Sequence, residues 1–277
     1  MTLPLTVVVL TLNEERNLPS CLQSIIAHVD DVHVLDSGST DATVQIARKF
    51  GVPVHTNRFA GFGQQRNWAI DNIPHRHQWV LHLDADERPT PELLAEMKRL
   101  LAGNSTEAGF YIASKLMLDG HWLRYSSGYP VYQVRLFHRD RLRFEDHGHG
   151  QREITAGRIG YLQSPYLHEA FSKGLDDWFA KHAHYARREA EQLRHESRGM
   201  LQLLIAALSG DAVSSRRAIK ALAYKLPGRP LLRLFQLLVI NRGVLDGRPG
   251  LLYARMMATY EAMISVHLCR LKSRVEV

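Results

Sequence analysis

Residues Leu5 to Thr11 form a run of seven, rich in leucine and β-branched side chains, that carries no charge. A strand of that composition is buried on both faces, so it belongs inside a sheet that helices cover on either side. Leu18, Leu22, Ile25, Ile26 and Val29 then recur at helical spacing, with Pro19 tolerated near the first turn. Val32 to Leu35 reads as the next strand. Ser37-Gly38-Ser39-Thr40-Asp41 reads as a turn with a good N-cap, opening a helix through Thr43, Val44 and Ala47 that stops at Gly51. Val52 to His55 is a third strand and Trp79 to Leu83 a fourth. Leu93, Leu94, Met97, Leu100 and Leu101 form a further helical stripe behind Pro91. Strands alternating with helices at this spacing predict a mostly parallel α/β sheet, whose ligands gather beyond the carboxyl ends of its strands.

Beyond Gly109 the pattern shortens to alternating runs such as Gly109 to Leu116 and Gln133 to Phe137, expected as added strands and loops over the sheet's edge. From Gly174 it turns helical, with breaks at Gly210, at Pro227-Gly228-Arg229-Pro230 and at Asp246-Gly247-Arg248-Pro249-Gly250. The 277 residues therefore divide into an α/β domain over 1–173 and a helical extension over 174–277. The net charge of +7 belongs to the extension: between Ser197 and Val277, 13 lysines and arginines face 4 acidic residues, a net of +9 that leaves −2 for the rest. Arg216, Arg217, Lys220, Lys225, Arg229, Arg233 and Arg242 lie among leucine-rich stretches, a mixture suited to an anionic membrane surface. No stretch approaches the roughly 18 apolar residues that a spanning helix needs. Cys21 and Cys269 have no partner spacing, which argues against a disulfide framework or a cysteine zinc site and fits a reducing cytoplasm. A nucleic-acid binder would interleave aromatic platforms or a binding motif with the charge, and none is recognisable here.

Polar residues collect where three predicted strands end: Thr11-Leu12-Asn13-Glu14-Glu15, Asp36-Ser37-Gly38-Ser39-Thr40-Asp41, and Asp84-Ala85-Asp86. One such turn is commonly no more than a helix cap or a solvated loop. Three at the same end of one sheet point to a site. The last is the most informative, because two carboxylates one residue apart past a strand can place oxygens on one Mg²⁺ or Mn²⁺ while a diphosphate completes its shell. An ion there neutralises charge that builds on a departing diphosphate.

The order TLNEE at 11–15, VLDSGSTD at 34–41, GFGQQRNWA at 61–69 and LHLDADE at 81–87 resembles glycosyltransferase family 2. Gly243 to Gly250 (GVLDGRPG), with Ser127-Gly128-Tyr129-Pro130, is similar to its branch of lipopolysaccharide-core β-1,4-glucosyltransferases. The resemblance implies the GT-A nucleotide-diphospho-sugar transferase fold and inverting, metal-dependent transfer from a nucleotide-diphosphate sugar, chiefly a UDP-sugar. The acceptor it implies is a saccharide or a lipid-linked one, at the inner face of the cytoplasmic membrane. It also implies residue roles. Thr11, Asn13 and Glu15 line the nucleoside pocket, and Asp36 accepts a hydrogen bond from the base. Gly61, Gly63 and Arg66 belong to a segment covering the nucleotide, though Arg66 reads equally as a surface helix charge. Asp84 lies near the ribose with Ala85 beside it, and Asp86 binds the metal. Of His147, His149 and His168, the last matches a histidine near the metal or diphosphate. Asp146 is the catalytic base, with Glu145 in reserve. That branch tends to carry Val-His-Glu where this chain has Gly148-His149-Gly150, so an inactive member that only binds stays open. A basic polyanion binder would leave DAD unexplained.

Overall fold

The computed structural model describes residues 2–103, 105–147, 150–194 and 228–273. They form two compact units. One comprises Met1–Trp122 and Tyr129–Ser172, the other Leu123–Gly128 and Lys173–Val277.

The first unit is built on a ten-stranded mixed sheet. Strands β1 (Leu3–Thr11), β2 (Val29–Asp36), β3 (Val54–Thr56) and β4 (Trp79–Asp84) run parallel in the order β3-β2-β1-β4. The uncharged run behaves as its composition requires, with Val7 and Val9 packed on one face against Leu18, Leu22 and Ile25, and Val8 on the other against Ile70 and Ile73. Helices α1 (Leu18–Ile25), α2 (Thr43–Lys49), α3 (Phe62–Asn72) and α4 (Pro91–Leu101) supply those covers, the last capped by the Thr90 hydroxyl at the Leu93 amide.

Three sequence expectations change. The first helical stripe includes Val29, whereas α1 ends at Ile25 and Val29 opens β2 opposite Leu3, so that residue is apolar for the sheet's sake. The runs after Gly109 do not lie over the sheet's edge. Strands β6 (Gly109–Leu118) and β8 (Val131–His138) continue it in plane beyond β4, with β8 antiparallel to both β4 and β6. Past them come β12 (Tyr166–His168), parallel to β6, and β5 (Glu87–Pro89), antiparallel to β12. Two short strands, β7 (His121–Trp122) and β11 (Ile159–Tyr161), also pair with β6. Strands β9 (Arg143–His147) and β10 (Gly150–Ile154) make a separate antiparallel pair. Third, α3 has no apolar stripe to reveal it, because Gln65 and Arg66 are among its buried residues.

In the second unit, α5 (Leu175–Arg194) packs on α7 (Gly247–Ser273) through Ala186, Ala190 and Ile264. Helix α6 (Arg229–Phe235) runs into a π-turn, Gln236–Ile240, and then a 3₁₀ turn, Gly243–Asp246. The expected break at Asp246 to Gly250 falls where the 3₁₀ turn ends and α7 begins, with Gly247 at a positive φ of 66° and Pro249 in a first turn that needs no amide hydrogen there. Gly210 and the basic residues Arg216, Arg217, Lys220 and Lys225 lie outside the described residues. Among the described residues no helix is long and apolar enough to cross a membrane.

Candidate active site

The parallel register brings the three polar segments together. Thr11 pairs with Asp36 across β1 and β2, and Leu10 with Asp84 across β1 and β4, so all three strands end on one edge. The first two loops are sewn to each other. Asn13, at a positive φ of 55°, accepts from the Thr40 amide at 2.8 Å and donates its own amide to the Ser39 hydroxyl. Glu15 accepts from the Ala42 amide, while its amide donates to Asp41. Asp36 is buried at the junction, with one carboxylate oxygen accepting from the Gly38 and Ser39 amides and the other from the Thr11 and Ser39 hydroxyls. A carboxylate has about four lone-pair directions. All of those of Asp36 are filled from within the loop, so here it shapes the turn and offers no free acceptor to a base.

The third segment meets two buried arginines. Arg66, from α3, donates to Asp84 at 2.9 Å, and Arg135, from β8, donates to the other oxygen of Asp84 at 2.7 Å and to Glu87 at 2.5 Å. Glu87 is fully buried and closes the ring by accepting from the Asp84 amide. Burial works against ionising Asp84, but the charges of Arg135, then Arg66 and His168, hold it well below the usual carboxylate range. For Glu87 burial dominates and raises it. Burial, followed by the like charge of Arg135, lowers Arg66 to about 10. Arg66 is thus no surface charge, being only 1% exposed, and its Nε donates to Gln151 at 2.5 Å. One terminal nitrogen each of Arg66 and Arg135 is buried without a hydrogen-bond partner.

Asp86 stands beside this ring, and the β5–β12 pairing brings His168 to it, Nε2 to carboxylate 3.4 Å. Burial disfavours a charged imidazole, yet Asp86, then Glu87 and Asp84, raise His168 to about 9. The carboxylate oxygen suits Mg²⁺ or Mn²⁺, and the imidazole nitrogen beside it, once it gives up its proton, could add a donor to Mn²⁺. Among the described residues no three His, Cys, Asp or Glu side chains converge into a complete cage, so a metal here would draw other donors from its ligand. Ala85 is buried and donates its amide to the Leu10 carbonyl, fixing the link between the two aspartates.

A cavity of about 340 Å³ opens over the ring, lined by Arg66, Asp84, Tyr111, Gln151, Glu153 and His168. A larger hollow, about 700 Å³, lies at the amino ends of β2, β3 and β4, remote from these residues. The chemistry, not the volume, marks the smaller one as the candidate site.

Asp146 and Glu145 do not line that cavity. Asp146 accepts from the Gly63 amide at 2.8 Å and from the Gln64 side chain at 2.9 Å, so it caps the start of α3. A Cβ at Gly61 would collide with the Asp146 carboxylate, and one at Gly63 would come within 2.6 Å of the Glu145 backbone. The close approach of β9 therefore requires glycine at both positions. Glu145 is exposed on β9 opposite Arg152. His147 is bonded to Arg152, and His149 lies outside the described residues. Sequence reading missed Glu87, Arg135, Tyr111 and Glu153. The Tyr111 hydroxyl donates to Glu153 across the cavity, and burial followed by that carboxylate raises the phenol.

Residues 6–162 match the model of glycosyl transferase family 2. The chain belongs to that family. It is 26% identical over 204 residues to the lipopolysaccharide core biosynthesis glycosyltransferase LpsC of Rhizobium meliloti, covering 69% of this chain and 72% of that one. A glycosyltransferase of Rickettsia typhi is 32% identical over 110 residues, 40% of this chain and 36% of its own. Glucosyl-3-phosphoglycerate synthase from Mycobacterium tuberculosis, solved with Mn²⁺, UDP and phosphoglyceric acid, overlaps 69% of this family 2 chain and 77% of its own at 18% identity and a TM-score of 0.45. Staphylococcus aureus TarS overlaps 92% and 55% at 16% identity and a TM-score of 0.41. The fold is thus that of a family 2 glycosyltransferase, a mixed sheet flanked by helices and followed by C-terminal helices.

Proposed function

We propose that this family 2 glycosyltransferase inverts the anomeric centre as it moves a sugar from a UDP-sugar to a saccharide or lipid-linked acceptor at the cytoplasmic face of a membrane. The observation that carries the reading is the meeting of Asp86 and His168 beside a cavity floored by two buried arginines. Asp86 and His168 would hold the divalent ion, Mg²⁺ or Mn²⁺, which supplies charge stabilisation for the departing diphosphate. Arg66, fixed by Asp84 and Gln151, adds a positive charge that needs no reorganisation. Thr11, Asn13 and Glu15 give the nucleoside its pocket, and Asp36 serves it by holding the backbone of 37–39 in shape. The name of the relative LpsC supports an acceptor in lipopolysaccharide core assembly.

Inversion needs a carboxylate that takes the acceptor hydroxyl proton while the oxygen attacks from the face opposite the diphosphate. Asp146 is the family-pattern choice and Glu145 its reserve, but the geometry favours Glu153, which lines the cavity while both oxygens of Asp146 are held by α3. Glu153 also stands three residues after Gly150, where the related branch tends to carry its glutamate. Glu153→Gln should lower transfer by roughly 10²–10⁴-fold with donor affinity kept, while Asp146→Asn transfers sugar. Should the Asp146 variant be the dead one and the Glu153 variant active, Asp146 takes the role back. Should both be active, Glu145→Gln identifies the reserve.

A further inference from the structure

The second unit carries an exposed apolar surface that nothing in the transfer chemistry uses. Leu231, Leu232, Phe235, Val239, Ile240, Val244 and Leu245, all within α6, the π-turn and the 3₁₀ turn, are between 46% and 71% exposed. Leu231, Phe235 and Val239 follow one another at four-residue intervals along one side of a helical run, and Ile240, Val244 and Leu245 sit at its far end. Single exposed apolar residues are ordinary on a soluble protein, whereas seven in fifteen residues mark an interaction surface.

The turn is built to present them. A Cβ on Gly243 would collide with the Leu237 carbonyl and one on Gly250 with the Gly243 carbonyl, so backbone packs directly on backbone at this corner. Asp246 locks it, accepting from the Tyr125 amide at 3.1 Å, the Ser126 amide at 2.7 Å and the Ser126 hydroxyl at 2.6 Å. The GVLDGRPG segment thus has a structural purpose outside the first unit, which is to hold Val244 and Leu245 outward on a fixed turn. An unconstrained segment of this composition would fold its apolar side chains away from water.

Charge selects the partner. Arg233, Arg242 and Arg248 border the patch, while Arg229 is buried and paired with Glu261, and the nearby acid Asp246 has its carboxylate taken up inside the turn. Arg242 and Arg248 are exposed next to Val244 and Leu245. A second copy of the chain would bring these arginines face to face and repel. Anionic headgroups above an acyl layer complement both halves of the surface. We infer that α6 and the two turns after it form a wedge that inserts its apolar residues into the interfacial layer of a bilayer containing anionic lipid. This rests on the reading of a membrane-borne acceptor and names the surface that serves it.

The test is flotation of the full chain with vesicles of phosphatidylcholine alone and of phosphatidylcholine with about 30% phosphatidylglycerol. The parent should bind the anionic vesicles and retain part of that binding in high salt, since burial of apolar groups is not screened. Changing Phe235, Val239, Ile240 and Val244 together to Ser should weaken binding about tenfold or more, and Arg242→Gln with Arg248→Gln should remove the salt-sensitive part. The emission that a Val244→Trp reporter adds to that of the four native tryptophans, read as the difference from the parent, should be that of an exposed indole without vesicles and should shift to the blue on anionic vesicles. The inference is overturned if the parent binds neither vesicle, if the serine variant binds as the parent does, or if the reporter is already buried without lipid. UDP-sugar binding is read in the same samples. Donor binding without vesicle binding sinks the wedge alone, and vesicle binding without donor binding sinks the transferase reading alone.

Discussion

The two ends of the first unit's sheet are both polar and both hollow, and the larger hollow is at the wrong end for chemistry. At the amino end, Asp31 takes hydrogen bonds from the Thr6 hydroxyl and the Arg76 amide, and its other oxygen meets His33, which in turn meets His55 at 3.2 Å. Asp31, His33 and His55 satisfy each other in a chain, with burial, and His33 after it, pushing His55 down, while His75 beside them keeps one buried ring nitrogen without a partner. At the carboxyl end two full guanidinium charges are buried among carboxylates, and each keeps an unpartnered nitrogen. A polar cluster that closes on itself stabilises a fold. One that leaves charge directed at a cavity is suited to a ligand.

The largest effect separating the two ends should come from Arg135→Met. It leaves Glu87 buried without its cation, a loss of about 3–5 kcal/mol of folding stability for a broken buried pair. Chemical denaturation measures it, and the matching change at the amino end, His55→Ala on a half-buried ring, should cost no more than about 1 kcal/mol. Equal losses would erase the distinction. Asp36→Ala comes next. Removing the acceptor that shapes the 37–39 turn should cost about 1.5–3 kcal/mol of folding stability, the worth of hydrogen bonds to a charged group, and should weaken UDP-sugar binding through the loosened turn with a smaller effect on the chemical step. Calorimetry checks this, and unchanged affinity removes Asp36 from the donor site.

The smallest effect concerns acid stability at the amino end. Burial opposes ionisation of Asp31, but the hydrogen bonds from Thr6 and the Arg76 amide, with His33, hold its carboxyl below the usual value. A folded-state value below the unfolded one means stability that is present above the unfolded value of 3.8 and lost as pH falls through the folded one. Melting followed from about pH 6 to about pH 3 should therefore show the parent losing about 1 kcal/mol more than Asp31→Asn, with nucleotide binding at pH 7 alike in both. A donor-binding defect in the Asp31 variant would mean that the two ends are coupled.

The legible parts of this molecule share a cause. Thr11, Asp36 and Asp84 close strands whose preceding residues are mostly apolar, with Asp86 two residues beyond, so the change from apolar to polar marks both the strand end and the candidate site. Arg135 and Glu87 carry no such mark. Within Val131–His138 an arginine among apolar residues reads as a solvent-facing position, and its burial follows only when β8 lies beside β4 and meets Asp84 and Glu87. Glu153 is hidden the same way, because its partner Tyr111 is 42 residues distant in sequence. Helix α3 escaped because polar residues fill its buried side, and Val29 misled because one apolar residue fits a helix stripe and a strand equally well. Local pattern reveals ends of elements, whereas pairs across the sheet wait for its strand order.

The central claim is that the carboxyl end binds a nucleotide sugar together with a divalent ion through Asp86. Thermal unfolding of the parent and of Asp86→Ala, each with UDP-glucose and either Mn²⁺ or a chelator, tests it most directly. The account predicts that the donor stabilises the parent in Mn²⁺ by about 2.7 kcal/mol at roughly 100 times its Kd, and that chelation or Asp86→Ala removes most of that gain while the unliganded melt barely changes. Equal stabilisation of parent and variant, with Mn²⁺ or without, would contradict it.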